Sequence, residues 1–523
     1  MDFVGTSGND RFTGTTGKDM FDLTQGGIDR VNGGSGSDYF YFGATLTADD
    51  RVNGGSDPRD YNYLFIEGDY GAGLALGANT VRYMDTIHMA SGHDYDLTLN
   101  DGNTAAGRTM YIATYASVTV DGGGAGNAVR VDGSAETDGT LAFFEGWQDS
   151  VFIGGSHGNV VHSYHGGHDV FIGGAGDDSF VIHSGYDALD VMQGGAGNDT
   201  LTLGGGSLLS ANLTGARIGG FETIVLDTYY GNSFHIMFSD AYAKAGDVIH
   251  VTTDDRFGPA STMHIDVNAG HETDATFVIT DGRGDDTLIG GGGDDWISAA
   301  EGGRDLVQGR GGDDTIVFGA LTKAGSAFNG GDGIDTLLCG VGTAASVIDL
   351  AGGTLSVRGE DAGRIANFEN AVGSDRSDRL FGNDLANDLR GGAGLDRIEG
   401  RAGDDRLYGD AGNDKLFGGA GADILAGGTG ADRLDGGAGN DSLEGGADGD
   451  VFVFSRGGGT DTVQDYVDGE DSFDLRLSIA VDFADVAAHM TQVGADVVIA
   501  LGADRLVILG TDVAALDAGD FLV

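Results

Sequence analysis

The chain has 523 residues, of which 99 are Gly, two are Pro and one is Cys, and 82 acidic against 28 basic side chains give a formal charge of −54. One cysteine, Cys339, excludes an internal disulfide framework, and scarce proline without glycine at every third position excludes collagen. The charge argues against nucleic acid or an anionic membrane as partner, and no run of 18 apolar residues predicts membrane insertion.

Taken in chain order, residues 1–42 hold four copies of a nonapeptide, G-G-x-G-x-D-x-U-x with U apolar, and place Asp10, Asp19, Asp29 and Asp38 at its sixth position. Residues 43–150 are Tyr-rich. Nine of the 16 tyrosines fall between Tyr39 and Tyr115, among strand-like runs such as Tyr63-Leu64-Phe65-Ile66 and Val118-Thr119-Val120. A second block, 151–202, carries Asn159, Asp169 and Asp178, then Asp199 in an isolated copy. Residues 203–280 return to short apolar runs: Phe221-Glu222-Thr223-Ile224-Val225-Leu226, Val248-Ile249-His250-Val251 and Phe277-Val278-Ile279. A third block, 281–338, contributes Asp286, Asp295, Asp305 and Asp314, and the isolated Asp335. Residues 339–372, with Phe368-Glu369-Asn370, read as a β-rich connector. The fourth block, 373–453, is the most regular. After copies with Asp378 and Asn387 come seven that keep Asp396, Asp405, Asp414, Asp423, Asp432, Asp441 and Asp450 in register. In these seven, position eight is always apolar: Ile398, Leu407, Leu416, Leu425, Leu434, Leu443 and Phe452.

The spacing predicts its own structure. Three residues such as Arg406-Leu407-Tyr408 make a short strand whose central side chain points inward. The other six turn the chain, and Gly supplies the backbone angles a tight turn needs. Two nonapeptides close one 18-residue coil, so turns n and n+2 stack. Turn carbonyls and an Asp in every turn offer hard oxygens, of which Ca²⁺ takes six to eight. Runs of four, three, four and nine copies then give about 12 complete sites or more, shared between stacked turns. Asp335, in an isolated copy, is expected to matter less than Asp414 and Asp423, and the intervening stretches read as coils without calcium turns. The fold class expected is all-β: an elongated right-handed parallel β-roll/β-helix solenoid with a β-rich C-terminal cap.

These repeats resemble those of the repeats-in-toxin (RTX) family of type I secreted bacterial proteins. Segment 454–523 is similar to the C-terminal region of serralysin-type proteins: Gly457-Gly458-Gly459-Thr460-Asp461-Thr462-Val463, Asp468-Gly469-Glu470-Asp471 and the ending Asp520-Phe521-Leu522-Val523. The resemblance implies a tail that caps the β-roll and carries an uncleaved signal for the type I secretion machinery. It also implies a secreted, extracellular protein. This fits Met1-Asp2-Phe3-Val4-Gly5, which lacks the basic and apolar regions of a cleaved signal. The Phe-Glu-Thr/Asn stretches look like parts of RTX-type S-layer proteins and surface adhesins. One helix is expected in the tail, at 482–490.

Catalytic motifs are weak. Gly154-Gly155-Ser156-His157-Gly158 fits a nucleophile elbow in letters, but the nonapeptide register runs through it. His271-Glu272 begins a zinc-protease motif that Ala275 breaks. His157, His162, His165, His168 and His183 crowd one region and read as turn-edge side chains on a coil, with a transition-metal site as the alternative. The tyrosines read mostly as inward-facing strand aromatics, with an exposed sugar- or protein-binding face as the alternative. The expected function is a non-enzymatic, calcium-folded structural protein at the cell surface that self-associates, as in an S-layer or matrix. An adhesin that binds cell-surface polysaccharide is the alternative, and a secreted hydrolase on an RTX stalk the third reading.

Overall fold

The computed structural model describes all residues except 116–127, 147, 165, 184–185, 187–188, 205–208, 229–232, 255–263, 341, 343, 477, 479 and 481. The expected strand Val118-Thr119-Val120 and His165 therefore lie outside the described residues. The chain divides into two units, Met1–Pro259 and Ala260–Val523. Each is a parallel β-solenoid, so the all-β solenoid class expected from the repeat is what is found.

In the N-terminal unit one inward column of side chains fixes the register. Phe21, Phe40, Leu64, Ile87, Ile112, Phe143, Val161, Phe180, Leu201, Ile224 and Val251 are successive partners in parallel pairs. All are fully buried. The spacing between neighbours varies because insertions lengthen the turns, yet each strand returns to the same alternation. That follows from the period of two: slipping by one residue would turn every inward side chain to water. A facing column runs through Leu97, Val131, Phe152, Phe171, Met192 and Ile218.

The C-terminal unit is more regular. Leu389, Leu407, Leu425 and Leu443 pair at steps of one 18-residue coil, and Ile398, Leu416, Leu434 and Phe452 do so on the facing sheet. Each buried leucine contributes roughly 1.5–3 kcal/mol of transfer free energy.

The connector departs from the expected coil. Ser346–Asp349, Thr354–Val357 and Glu360–Ala366 pair antiparallel. The connections between them are only four and two residues long, 350–353 and 358–359, and contain Gly353, Arg358 and Gly359 at positive φ. So short a link can only reverse the chain. The first of these strands still rejoins the solenoid, parallel to Arg379–Phe381.

The tail forms a meander. Met490–Val493, Asp496–Leu501 and Asp504–Ile508 pair antiparallel, and the last lies parallel to Thr460–Val463 at the end of one sheet. Phe521–Leu522 covers the end of the other, against Ser472–Asp474. Open edges that would template pairing with another chain are thereby closed. The expected helix is Phe483–Ala488, capped by the Asp482 carboxylate on the Asp485 N–H. No helix among the described residues is long and apolar enough to cross a membrane.

Candidate metal centre

Each sixth-position aspartate sits immediately before a strand and has two oxygens with different partners. Beyond the first coil of each block, one accepts a backbone N–H from the sixth position of the preceding coil on the same side. Asp396 N–H donates to Asp414 Oδ1 at 2.7 Å, and Asp414 N–H donates to Asp432 Oδ1 at 2.7 Å. Asp405, Asp423 and Asp441 continue the same chain of bonds on the other side. The blocks near the start of each unit do likewise, through Asp10, Asp29 and Asp19, Asp38, and through Asp286, Asp305 and Asp295, Asp314. The carboxylates thus stack into columns, two per repeat block.

The other oxygen is the informative one. In fourteen of these residues Oδ2 is buried and takes no hydrogen bond: Asp38, Asp178, Asp199, Asp286, Asp305, Asp314, Asp335, Asp396, Asp405, Asp414, Asp423, Asp432, Asp441 and Asp450. Burial pushes their carboxyls up, to about 6 for Asp414, about 7 for Asp423 and about 8 for Asp314. A Cβ built on Gly409 would meet Asp414 Oδ2 at 2.5 Å and the Gly427 carbonyl oxygen at 2.5 Å. First-position glycine therefore leaves a gap that two oxygens face.

Asparagine at the same position shows what that gap requires. Asn159 Nδ2 donates to the His157 carbonyl at 2.6 Å and to the Gly173 carbonyl at 3.0 Å. Asn387 Nδ2 donates to the Glu369 carbonyl at 2.7 Å. Where the side chain is amide, N–H groups satisfy the turn carbonyls. Where an ionised carboxylate lacks such a donor, oxygen faces oxygen, and a cation reconciles them. A set of carboxylate and carbonyl oxygens without nitrogen or sulfur is the set calcium prefers.

The family described as RTX calcium-binding nonapeptide repeat (4 copies) matches at residues 4–23, 23–44, 165–189, 184–207, 278–303, 299–320, 372–403, 381–416 and 417–452. The chain carries RTX calcium-binding nonapeptide repeats. Among solved structures, the extracellular lipase LipA from Serratia marcescens is similar at 15% identity over 62% of this chain and 67% of that one, with a TM-score of 0.19. That overlap carries no functional argument. No curated protein matches the chain.

Not every RTX turn is equally in need of an ion. Asp10 Oδ2 accepts from Thr6 N–H at 2.6 Å, Asp19 Oδ2 from Thr15 N–H at 2.5 Å, Asp378 Oδ2 from Ser374 N–H at 2.6 Å and Asp295 Oδ2 from Gly291 N–H at 2.6 Å. Thr6, Thr15 and Ser374 add their hydroxyls. Of the remaining positions, Asp29 Oδ1 accepts from Asp10 N–H and Asp169 Oδ1 from Ser150 N–H, each at 2.9 Å.

Asp199 and Asp335 are not isolated. Asp178 N–H donates to Asp199 Oδ1 at 2.7 Å and Asp314 N–H to Asp335 Oδ1 at 2.8 Å. The inserted residues only lengthen the coil, to 21, so both aspartates are full members of a column. This membership removes the structural ground for expecting Asp335 to matter less.

The columns also continue past the nonapeptides, in stretches expected to lack such turns. Asp199 N–H donates to Glu222 and Asp335 N–H to Glu369, at 2.7 and 2.9 Å. Asp50, Asp190, Asp461 and Asp471 take the same role for Asp29, Asp169, Asp441 and Asp450. Five of the six lie one residue before a short strand and Asp461 lies within one, Thr460–Val463, a signal that holds once the glycine requirement is dropped. Among the described residues one column meets an arginine: Asn62 N–H donates to Asp85 Oδ2, and Arg108 pairs with Asp85 Oδ1 at 2.5 Å.

The other candidates resolve simply. Ser156 is exposed in an RTX turn, its hydroxyl donating to the Thr137 carbonyl at 3.2 Å. His157 and His168 are exposed between strands, whereas His162, on the strand Val160–Ser163, stacks on His183, just past the strand Ser179–Ile182, with ring nitrogens 3.2 Å apart. The tyrosines divide. Tyr70 and Tyr95 face inward, but Tyr39, Tyr41, Tyr61 and Tyr63 are half-exposed and Tyr111 is exposed.

Gly409→Ala is expected to raise the calcium midpoint of folding, because its methyl fills the gap beside Asp414. Loss of one or two sites costs about 1–3 kcal/mol at ~1 mM calcium for a Kd of ~10⁻⁴ M. Calcium titration followed by circular dichroism checks this, and an unchanged midpoint would contradict the site.

Proposed function

We propose that the chain is a secreted structural protein, without enzymatic activity, that calcium folds outside the cell and that then self-associates into a surface layer or matrix. The observation that carries this reading is the placement of the columns. Each unit has its own buried, unpaired Oδ2 oxygens, so calcium supports the folding of each unit rather than of a stalk joined to a separate cargo. A submicromolar cytosol leaves such columns empty and the chain open for export by the type I machinery. Millimolar calcium outside closes them. Ions filling the roughly dozen expected sites would also lower the charge from −54 toward about −30, easing contact between copies.

One observation favours the adhesin reading. The N-terminal unit carries rows of stacked, partly exposed rings: Tyr39 on Tyr63 at 4.5 Å, Phe65 on His88 at 4.7 Å, Phe144 on His162 at 4.8 Å and Tyr164 on His183 at 4.3 Å. Flat aromatic faces of this kind suit a sugar ring as well as a second copy. Light scattering and circular dichroism recorded together against calcium separate the two. Self-assembly predicts that scattering rises after folding is complete and reverses in chelator. A folded protein that stays monomeric in ~10 mM calcium and binds polysaccharide would replace the structural reading with the adhesin one.

A further inference from the structure

A carboxylate group outside the RTX turns is arranged as a ligand set. Asp101, Glu136 and Asp138 each present one oxygen, all within 4.8 Å of one another. They come from successive coils: Tyr95–Thr98 pairs in parallel with residues 129–132, and the turns that follow lie side by side. Thr137 ties the turns together, its N–H and hydroxyl donating to Asp101 Oδ1 at 3.3 and 2.8 Å. Gly107 N–H donates to the Asp138 carbonyl at 2.7 Å.

Glu136 points to a ligand. It is wholly buried, and neither of its carboxylate oxygens has a partner in hydrogen-bond geometry, the Asp138 N–H lending only partial electrostatic support. Asp138 Oδ1 is likewise buried and unpaired. Among the described residues none of the three acids makes an ion pair. A buried carboxylate without a well-formed hydrogen bond is costly, and the two carboxylates beside it raise that cost. A cation removes all three penalties at once.

The neighbouring turn supports the same conclusion. Ser156 N–H donates to the Glu136 carbonyl at 3.1 Å, so the RTX turn 154–159 stacks directly on this one. That turn carries Asn159 in place of aspartate, and its amide satisfies the carbonyls without an ion. Just beyond that neutral rung, the carboxylates reappear in a different arrangement.

We propose that Asp101, Glu136 and Asp138 form a calcium site outside the nonapeptide pattern, held by carboxylate oxygens from two successive coils. All-oxygen ligation and one exposed member, Asp101, suit a hard ion that retains water. The site lies in the stretch 43–150, where the sequence offers no RTX turn. It goes beyond the proposed structural role and does not depend on self-association.

Native mass spectrometry of the full chain in calcium resolves single bound ions. Glu136→Gln and Asp101→Asn are each expected to carry one ion fewer than the unaltered protein. Hydrogen exchange localises the effect. In calcium sufficient to fold every variant, and at ten times the Kd of this site, peptides over 99–107 and 133–141 exchange roughly tenfold faster in both variants than in the unaltered protein. Asp414→Asn, in the other unit, leaves these peptides as protected as in the unaltered protein. Asp101 is exposed, so Asp101→Asn decides the matter even where Glu136→Gln folds poorly. Unchanged ion counts together with unchanged protection of these peptides in Asp101→Asn would overturn the proposal.

Discussion

Removing calcium near neutral pH is expected to abolish the β-sheet circular dichroism of both units, and restoring ~1 mM calcium to recover it cooperatively. The balance can be followed at one rung. Asp414 Oδ2 and the Gly427 carbonyl oxygen both face the gap beside Gly409, and Oδ2 takes no hydrogen bond. A buried Oδ2 without a hydrogen bond recurs at thirteen other aspartates. An isolated buried acceptor costs about 1–3 kcal/mol, more when charged, so the unfilled columns oppose folding along much of the chain. With Kd of ~10⁻⁴ M, each filled site adds roughly 1.4 kcal/mol at ~1 mM calcium. About a dozen sites would supply on the order of 17 kcal/mol, as much as the whole stability of an ordinary domain. Because each ion would bridge stacked turns, filling one orders the next, and the transition should be steep. Asp414→Asn should raise the calcium midpoint while keeping the acceptor for the Asp396 N–H. Asp414→Ala should cost more, since it also removes that bond. A full β spectrum in calcium-free buffer near neutral pH would contradict the calcium-dependent fold.

Much of this was legible because the repeat encodes strand and turn in nine letters. Leu407 could be placed inward and Asp405 in a turn from spacing alone, and both are where the spacing puts them. The repeat pattern failed where it was read as a requirement instead of one solution. A carboxylate at the end of a turn needs only a strand after it and a coil beneath it. Glu222 and Glu369 meet that condition without a Gly-Gly start, as do Asp50 and Asp190. Insertions hid the continuity of Asp199 and Asp335, because periodicity counts residues whereas stacking counts coils. The antiparallel strands of 346–366 were read as coils because alternation of apolar residues is the same in either direction. Only the short links around Gly353 and Gly359 distinguish them. Glu136 was invisible for a further reason: its meaning lies in Asp101, 35 residues earlier and one coil away.

Acid should partly substitute for calcium, and this gives the opposite pH dependence with and without the ion. Burial raises the carboxyls of Asp38, Asp178, Asp396 and Asp423 to about 7, and those of Asp405, Asp414 and Asp432 to about 6, from an ordinary value of 3.8. A carboxyl with a raised folded-state value binds more protons folded than unfolded. Its contribution is fully present below pH 3.8 and is lost as pH rises through 6 to 7. Protonation also turns an oxygen that conflicts with a carbonyl into a hydroxyl that can donate to it. Asp474, held well below the usual range by Arg476 and Arg433, works the other way but only in stronger acid. In calcium-free buffer the β spectrum should therefore strengthen as pH falls from about 8 to about 5, through loss of charge at many rungs together. In calcium the order reverses. Protons compete with the ion for the same oxygens, so the calcium midpoint should rise as pH falls over that range. Circular dichroism in a grid of pH and calcium tests both arms. Calcium-free protein equally unfolded at both ends of the range, with a calcium midpoint independent of pH, would show that the buried carboxylates are not what opposes folding.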